Sequence, residues 1–173
     1  SLYASDDNLI ITKKIENLQN IFADSGHENN FSLNNLRQEL QQNNEKYLGV
    51  FRNKDLLEQG FSKLKALYSQ FKKYRIKQKN LMWNEELVEY FELEFLLLNS
   101  LAANFAALNR KESRGAHYRS DFLARDDENF LAHSMVKIVQ NDDNDFVLEF
   151  SLQDVRRDSS HAELNLTPQP RKY

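Results

Sequence analysis

Apolar residues recur at spacings of three and four, the period of an α-helix, over roughly the first two thirds of the chain. Ile11, Ile15, Leu18 and Phe22 form a first stripe, with Asp6 or Asp7 as its cap and Gly26 as its stop. Ser32 reads as the N-cap of a second helix that carries Leu33, Leu36 and Leu40 and ends near Tyr47, before Gly49. A third helix starts at Asn53 or Asp55. Its seam of Leu57, Phe61, Leu64, Tyr68 and Phe71 suits antiparallel packing, and Gly60 within it predicts a close helix crossing. Asn84 caps a fourth helix, with Glu85 and Glu86 in its first turn. Leu87, Phe91, Phe95, Leu98, Ala102, Phe105 and Leu108 continue its stripe along a rod of about 38 Å. Residues 91–101 are apolar on more than one side, so this rod should be the centre of the bundle or should dock on a further domain.

Gly115 breaks the helical pattern and reads as its left-handed stop. Residues 135–140 and 146–152 then alternate as strands around the turn-rich stretch 141–145, which predicts a β-hairpin, edge-exposed or paired with a partner. Thr167-Pro168-Gln169-Pro170 should be extended. The expected fold is mainly α. An antiparallel three- to four-helix bundle occupies residues 1–115, and an extended segment with a small β-hairpin occupies 116–173.

Composition narrows this further. Four Gly and two Pro are too few for the turns of a sandwich, barrel or propeller. Twelve Phe and seven Tyr give a core its bulk, which a disordered chain would lack. A net charge of −3 removes the general attraction to nucleic acid, which is not expected as a partner. With no cysteine, disulfides, thiolate-bound metals and thiol catalysis are excluded within this chain. The longest uninterrupted apolar run, residues 95–98, is far short of the roughly 20 residues of a membrane span. No signal peptide is visible, and the opening Ser1-Leu2-Tyr3 suggests a piece of a longer chain.

Candidate chemistry is sparse. The glycines are too far apart for a dinucleotide or phosphate cradle, and neither a nucleophile elbow nor a zinc-protease motif occurs. His27, His117, His133 and His161 do not pair on a helix face, so no metal site is expected. No catalytic or cofactor-binding residue is assigned. Lys72, Lys73, Arg75, Lys77 and Lys79 crowd the end of the third helix, either to complement its dipole or to meet an anion or partner. The stretch 112–130 is denser in charge. Arg114 could touch the last helical carbonyls within a local salt-bridged wrap. Alternatively, Arg114, His117, Arg119 and Arg125 could face another polypeptide surface.

The run Arg110-Lys111-Glu112-Ser113-Arg114-Gly115-Ala116-His117 resembles the C-terminal region of the flavoprotein subunit of fumarate reductase and succinate dehydrogenase. So do Arg125-Asp126-Asp127-Glu128-Asn129-Phe130-Leu131, His133-Ser134, Gly49-Val50-Phe51-Arg52 and the basic, tyrosine-bearing ending 168–173. The resemblance runs from about Asn34 to Tyr173. It implies a parent protein that binds FAD and interconverts fumarate and succinate by hydride transfer, with proton delivery by an arginine. It also implies electron exchange with an iron–sulfur subunit, a membrane anchor in the parent complex, and a peripheral place on the cytoplasmic side of the inner membrane, with the periplasmic side left open. The flavin-linking and catalytic residues of that family lie upstream, and no position here matches them. This region would instead pack on the upstream FAD-binding and capping domains, with Arg114, His117, Arg119, Arg125 and Asp126 at the contact. L-aspartate oxidase is similar in the Lys-Glu-Ser-Arg-Gly segment, but usually has Leu in place of Ala116 and lacks a good equivalent of residues 125–133. A free-standing helical adaptor that binds through residues 91–105 is the alternative from another class.

Overall fold

A computed structural model describes residues 12, 15, 16, 18–22, 31–140 and 146–155. Residues 18–22 are helical. There follow α1 (Leu33–Tyr47), β1 (Phe51–Arg52), α2 (Lys54–Phe71), α3 (Glu85–Asn109), β2 (Tyr118–Arg119), β3 (Ala132–Gln140) and β4 (Phe146–Asp154). Asp6, Asp7, Gly26, the turn 141–145 and the extended ending 167–170 lie outside the described residues.

Each long helix starts where a side chain can accept an orphan amide. Ser32 Oγ accepts from the Asn35 N–H at 3.1 Å, Asn53 Oδ1 from Leu56 at 2.8 Å, and Asn84 Oδ1 from Leu87 at 2.9 Å. Such a cap contributes about 1 kcal/mol. The three helices bury Leu36, Leu40, Leu64, Phe71, Leu93, Leu97 and Leu101 in one core. Gly60 is the expected crossing. A Cβ there would lie 2.5 Å from Tyr47 Cβ and 3.0 Å from Asn104 Nδ2, so only glycine lets α1, α2 and α3 meet at this distance.

The phase of the rod differs from the expected stripe. The face of α3 turned to the core carries Tyr90, Leu93, Leu97, Leu101, Asn104 and Ala107. Leu87 and Phe91 lie on its flank, and Phe95 is 61% exposed. Both sides of α3 are apolar, so the period sets the spacing of the stripe but leaves its rotation open. The helix as a whole is long and apolar enough to cross a membrane, although the short runs within it suggested otherwise. One side of it is nonetheless committed to the bundle core.

Polar groups punctuate this core. Asn43 Nδ2 donates to Gly60 O at 3.4 Å, and Asn44 Nδ2 donates to Ser100 Oγ at 2.8 Å. Asn104 is fully buried, and neither amide atom of its side chain has a hydrogen-bond partner. The predicted hairpin is present and longer than expected. β3 and β4 pair antiparallel from Ala132↔Asp154 to Gln140↔Phe146. Leu148 packs against the core, and Phe146 meets Tyr68 edge-on, with ring centroids 5.0 Å apart.

Candidate functional site: a charge network after the long helix

The rod stops at Asn109 because Arg110 turns to extended backbone, at φ −84° and ψ 104°. Gly115 is therefore not the helix stop. It has φ +59° and lies in a tight turn across which Arg114 and His117 exchange backbone hydrogen bonds of 2.8 and 3.0 Å. The chain then runs back to the start of α2. β2 pairs parallel with β1, Phe51↔Tyr118 and Arg52↔Arg119. The Ser120 N–H donates to Arg52 O at 2.8 Å, and the Lys54 N–H donates to the Asp121 carboxylate at 2.9 Å. This clasp joins the C-terminal end of α3 to the N-terminal end of α2.

Arg119 holds the inside of the clasp and is 1% exposed. Its Nη1 donates to Ala107 O at 2.8 Å, with Leu108 O and Arg110 O at 3.2 and 3.3 Å. It thereby satisfies the orphan carbonyls of α3, where a cation is also favoured by the helix dipole. That role was expected of Arg114. Nε and Nη2 of Arg119 make a forked pair with Asp121, at 2.8 and 2.7 Å. The guanidinium pushes the Asp121 carboxyl down to about 2.

Glu112 is the second centre, with no exposed surface. It accepts from Arg110 Nε at 2.9 Å, from Arg114 Nε and Nη2 at 2.7 and 2.9 Å, and from the Asp126 N–H at 2.8 Å. Burial alone would raise its carboxyl, but the bonds from Arg114, Asp126 and Arg110 outweigh burial and hold it below the ordinary range. Arg114 continues to Asp127 at 2.6 Å, and Arg125 meets the other oxygen of Asp127 at 2.6 Å. Asp126 Oδ1 accepts from the Glu128 and Asn129 N–H groups and closes a turn. Arg110 also reaches Phe130 O, Ala132 O and Ser134 Oγ, which anchors the start of the hairpin.

His117 links the two centres. Arg52 can only donate and a carbonyl can only accept. The 3.0 Å contact from Arg52 Nη1 to Nδ1 and the 3.2 Å contact from Nε2 to Arg110 O therefore fix a neutral ring with its proton on Nε2. Burial, with three nearby arginines, pushes its pKa down in the same sense.

The network thus brings together Arg114, His117, Arg119, Arg125 and Asp126, all singled out in the sequence. It adds Arg52, Arg110, Glu112, Asp121 and Asp127, whose roles were missed. Glu112 stood in a conspicuous motif, but nothing in its spacing announced a carboxylate shared by two arginines. Chemically the network orients backbone. Its donors and acceptors are matched to one another, and among the described residues no group of three His, Asp or Glu could hold a metal. Among the described residues the one parallel strand pair is two residues long, and no glycine-rich turn joins β1 to the helix that follows it, so no dinucleotide cradle is built there. A cleft of about 460 Å³ between α1 and α2, lined by Glu39, Lys46, Tyr47 and Lys63, shares no residue with the network.

The described residues thus form a helical bundle clasped by a buried arginine–carboxylate network, with a hairpin trailing from it. Residues 37–173 match the family described as fumarate reductase flavoprotein C-term, and the chain belongs to that family. It is 35% identical over 136 residues to the succinate dehydrogenase flavoprotein subunit of Rickettsia conorii, covering 78% of this chain and 23% of that protein. It is 43% identical over 106 residues to the 8-methylmenaquinol:fumarate reductase flavoprotein subunit of Wolinella succinogenes, covering 61% of this chain and 17% of that one. Among solved structures, a quinol–fumarate reductase with menaquinol molecules superposes with a TM-score of 0.74 at 25% identity, over 96% of this chain and 27% of its own. The chain spans about a quarter or less of the length of these relatives.

Proposed function

We propose that this chain is the C-terminal, non-catalytic part of a flavoprotein that interconverts fumarate and succinate with FAD and exchanges electrons with an iron–sulfur subunit. The protein would be peripheral on the cytoplasmic side of the inner membrane. The helical bundle, 1–115, and the segment 116–173 pack on the flavin-binding and capping domains and stabilise them. Arg114, Arg125 and Asp126, each partly exposed, meet those domains, while Arg119 and His117 hold the meeting surface in shape from within. The observation that carries this reading is the family match over residues 37–173, which takes in the whole charge network.

The test is an immunoblot of source cells with antibody to this chain, with flavin fluorescence read on the same gel. The expected band is several times heavier than 20.4 kDa and fluoresces after denaturation. A band at the mass of this chain alone, without flavin, would overturn the reading.

A further inference from the structure

At the other end of α3, far from the charge network, the chain presents three consecutive apolar side chains to solvent. Leu81, Met82 and Trp83 are 73, 75 and 92% exposed. Trp83 also has φ +54°, and it is the one non-glycine residue with positive φ among the described residues. A bulky side chain in the left-handed region is strained, and such strain persists only where surrounding bonds impose it. Here they do. Asn84 Nδ2 donates to Gln78 O and Asn80 O at 2.9 and 2.7 Å, and Asn80 Nδ2 donates to Met82 O at 2.7 Å. Glu86 Oε2 accepts from the Lys77 and Gln78 N–H groups at 3.0 and 2.9 Å. The loop is therefore held in one shape that turns its tryptophan outward. Val88 and Phe95, seven residues apart on one side of α3, are also exposed, with Leu96 beside them. Val88 and Phe95 thus make an exposed apolar stripe of about 10 Å along the helix, beginning just past the loop.

We infer that Trp83, with Leu81 and Met82, is a preformed anchor that seats in the larger portion of the same flavoprotein polypeptide, the portion that precedes this region in its relatives. The inference rests on the function proposed above and gives that docking a second, apolar point of attachment. Two observations select the occupant. The relatives hold this region as about a quarter of their length, in a family defined as C-terminal, so most of their chain lies ahead of it. Glu85, Glu89 and Glu92 are exposed on the same stretch of α3 as Val88 and Phe95, and an anionic bilayer would repel them. Lys77 and Lys79 precede the loop, and such mixed charge around an exposed tryptophan suits a protein surface.

The variant Trp83→Gly separates docking from local structure, because glycine adopts φ +54° without strain. In the 173-residue chain it should raise the melting temperature by about 2–4 °C. In the full-length flavoprotein it should speed proteolytic release of the C-terminal region at least about tenfold. Unchanged release there overturns the anchor, while flavin retention and fumarate reduction by the same preparation leave the functional reading standing. Faster release from a polypeptide that reduces no fumarate supports the anchor and overturns the functional reading. Dimerisation of the 173-residue chain, or its binding to anionic phosphatidylserine vesicles, overturns the proposed occupant if Trp83→Gly abolishes it and leaves release unchanged.

Discussion

Asn104 and Glu112 are both polar, both without exposed surface, and only two turns of helix apart in sequence, yet their surroundings are opposite. Asn104 lies at the helix crossing beside Gly60 with its amide unpartnered. Glu112 accepts hydrogen bonds from two arginines and a backbone amide. The bundle is held by apolar area, which is non-directional and tolerates a misfit polar group at some cost. The segment after it has little apolar area and takes its shape from directional bonds. A buried charge is sustainable there only because every partner is present.

Removing one partner should therefore do most harm in the second region. Glu112→Ala leaves Arg110 and Arg114 facing a hole and should cost about 3–5 kcal/mol, read as a lower urea midpoint. A loss below about 1 kcal/mol would show that the network is solvated rather than structural. The next effect is on acid stability. The carboxyls of Asp121 and Glu112 are both held below their unfolded values. Their contribution is complete only above the ordinary carboxyl values, 4.5 for Glu112 and 3.8 for Asp121, and drains away as the folded groups take up protons, for Asp121 down to about 2. Urea midpoints should fall across that window, and a flat profile would contradict the assignment. The smallest effect belongs to the bundle. Asn104→Leu replaces an unsatisfied amide by an apolar side chain of the same branching and heavy-atom count, so that relief of the amide offsets the tighter fit, and should change stability by no more than about 1 kcal/mol, in either direction. A loss as large as that of Glu112→Ala would mean that the asparagine has an unseen partner and that the two regions are alike.

Much of this was legible from residue order. Ser32, Asn53 and Asn84 identified three helix starts because a cap is a local device. Gly60 identified the crossing because glycine has no other purpose in mid-helix there. The rotation of α3 was not legible, since Tyr90, Leu93 and Leu97 compete with Leu87, Phe91 and Leu98 as equally apolar stripes. The stop at Asn109 was missed for a different reason. The carbonyls at that end are taken by Arg119, ten residues beyond the helix, and such a partner becomes visible only once the chain has folded back. The same holds for Arg52, which meets His117 across 65 positions.

The two-residue clasp between β1 and β2 also bears on the order of assembly. Its bond from Ser120 to Arg52 spans 68 positions. Closing so long a loop in an unstructured chain carries an entropic cost for only a few bonds in return. Once α2 and α3 have docked, their ends already stand side by side and the cost has been met by burial of the core. The favoured route therefore runs from helix pair to clasp, the sequence of events that local contacts favour in general. Read backwards, the clasp and the arginines it carries are the first part to release when the domain loosens.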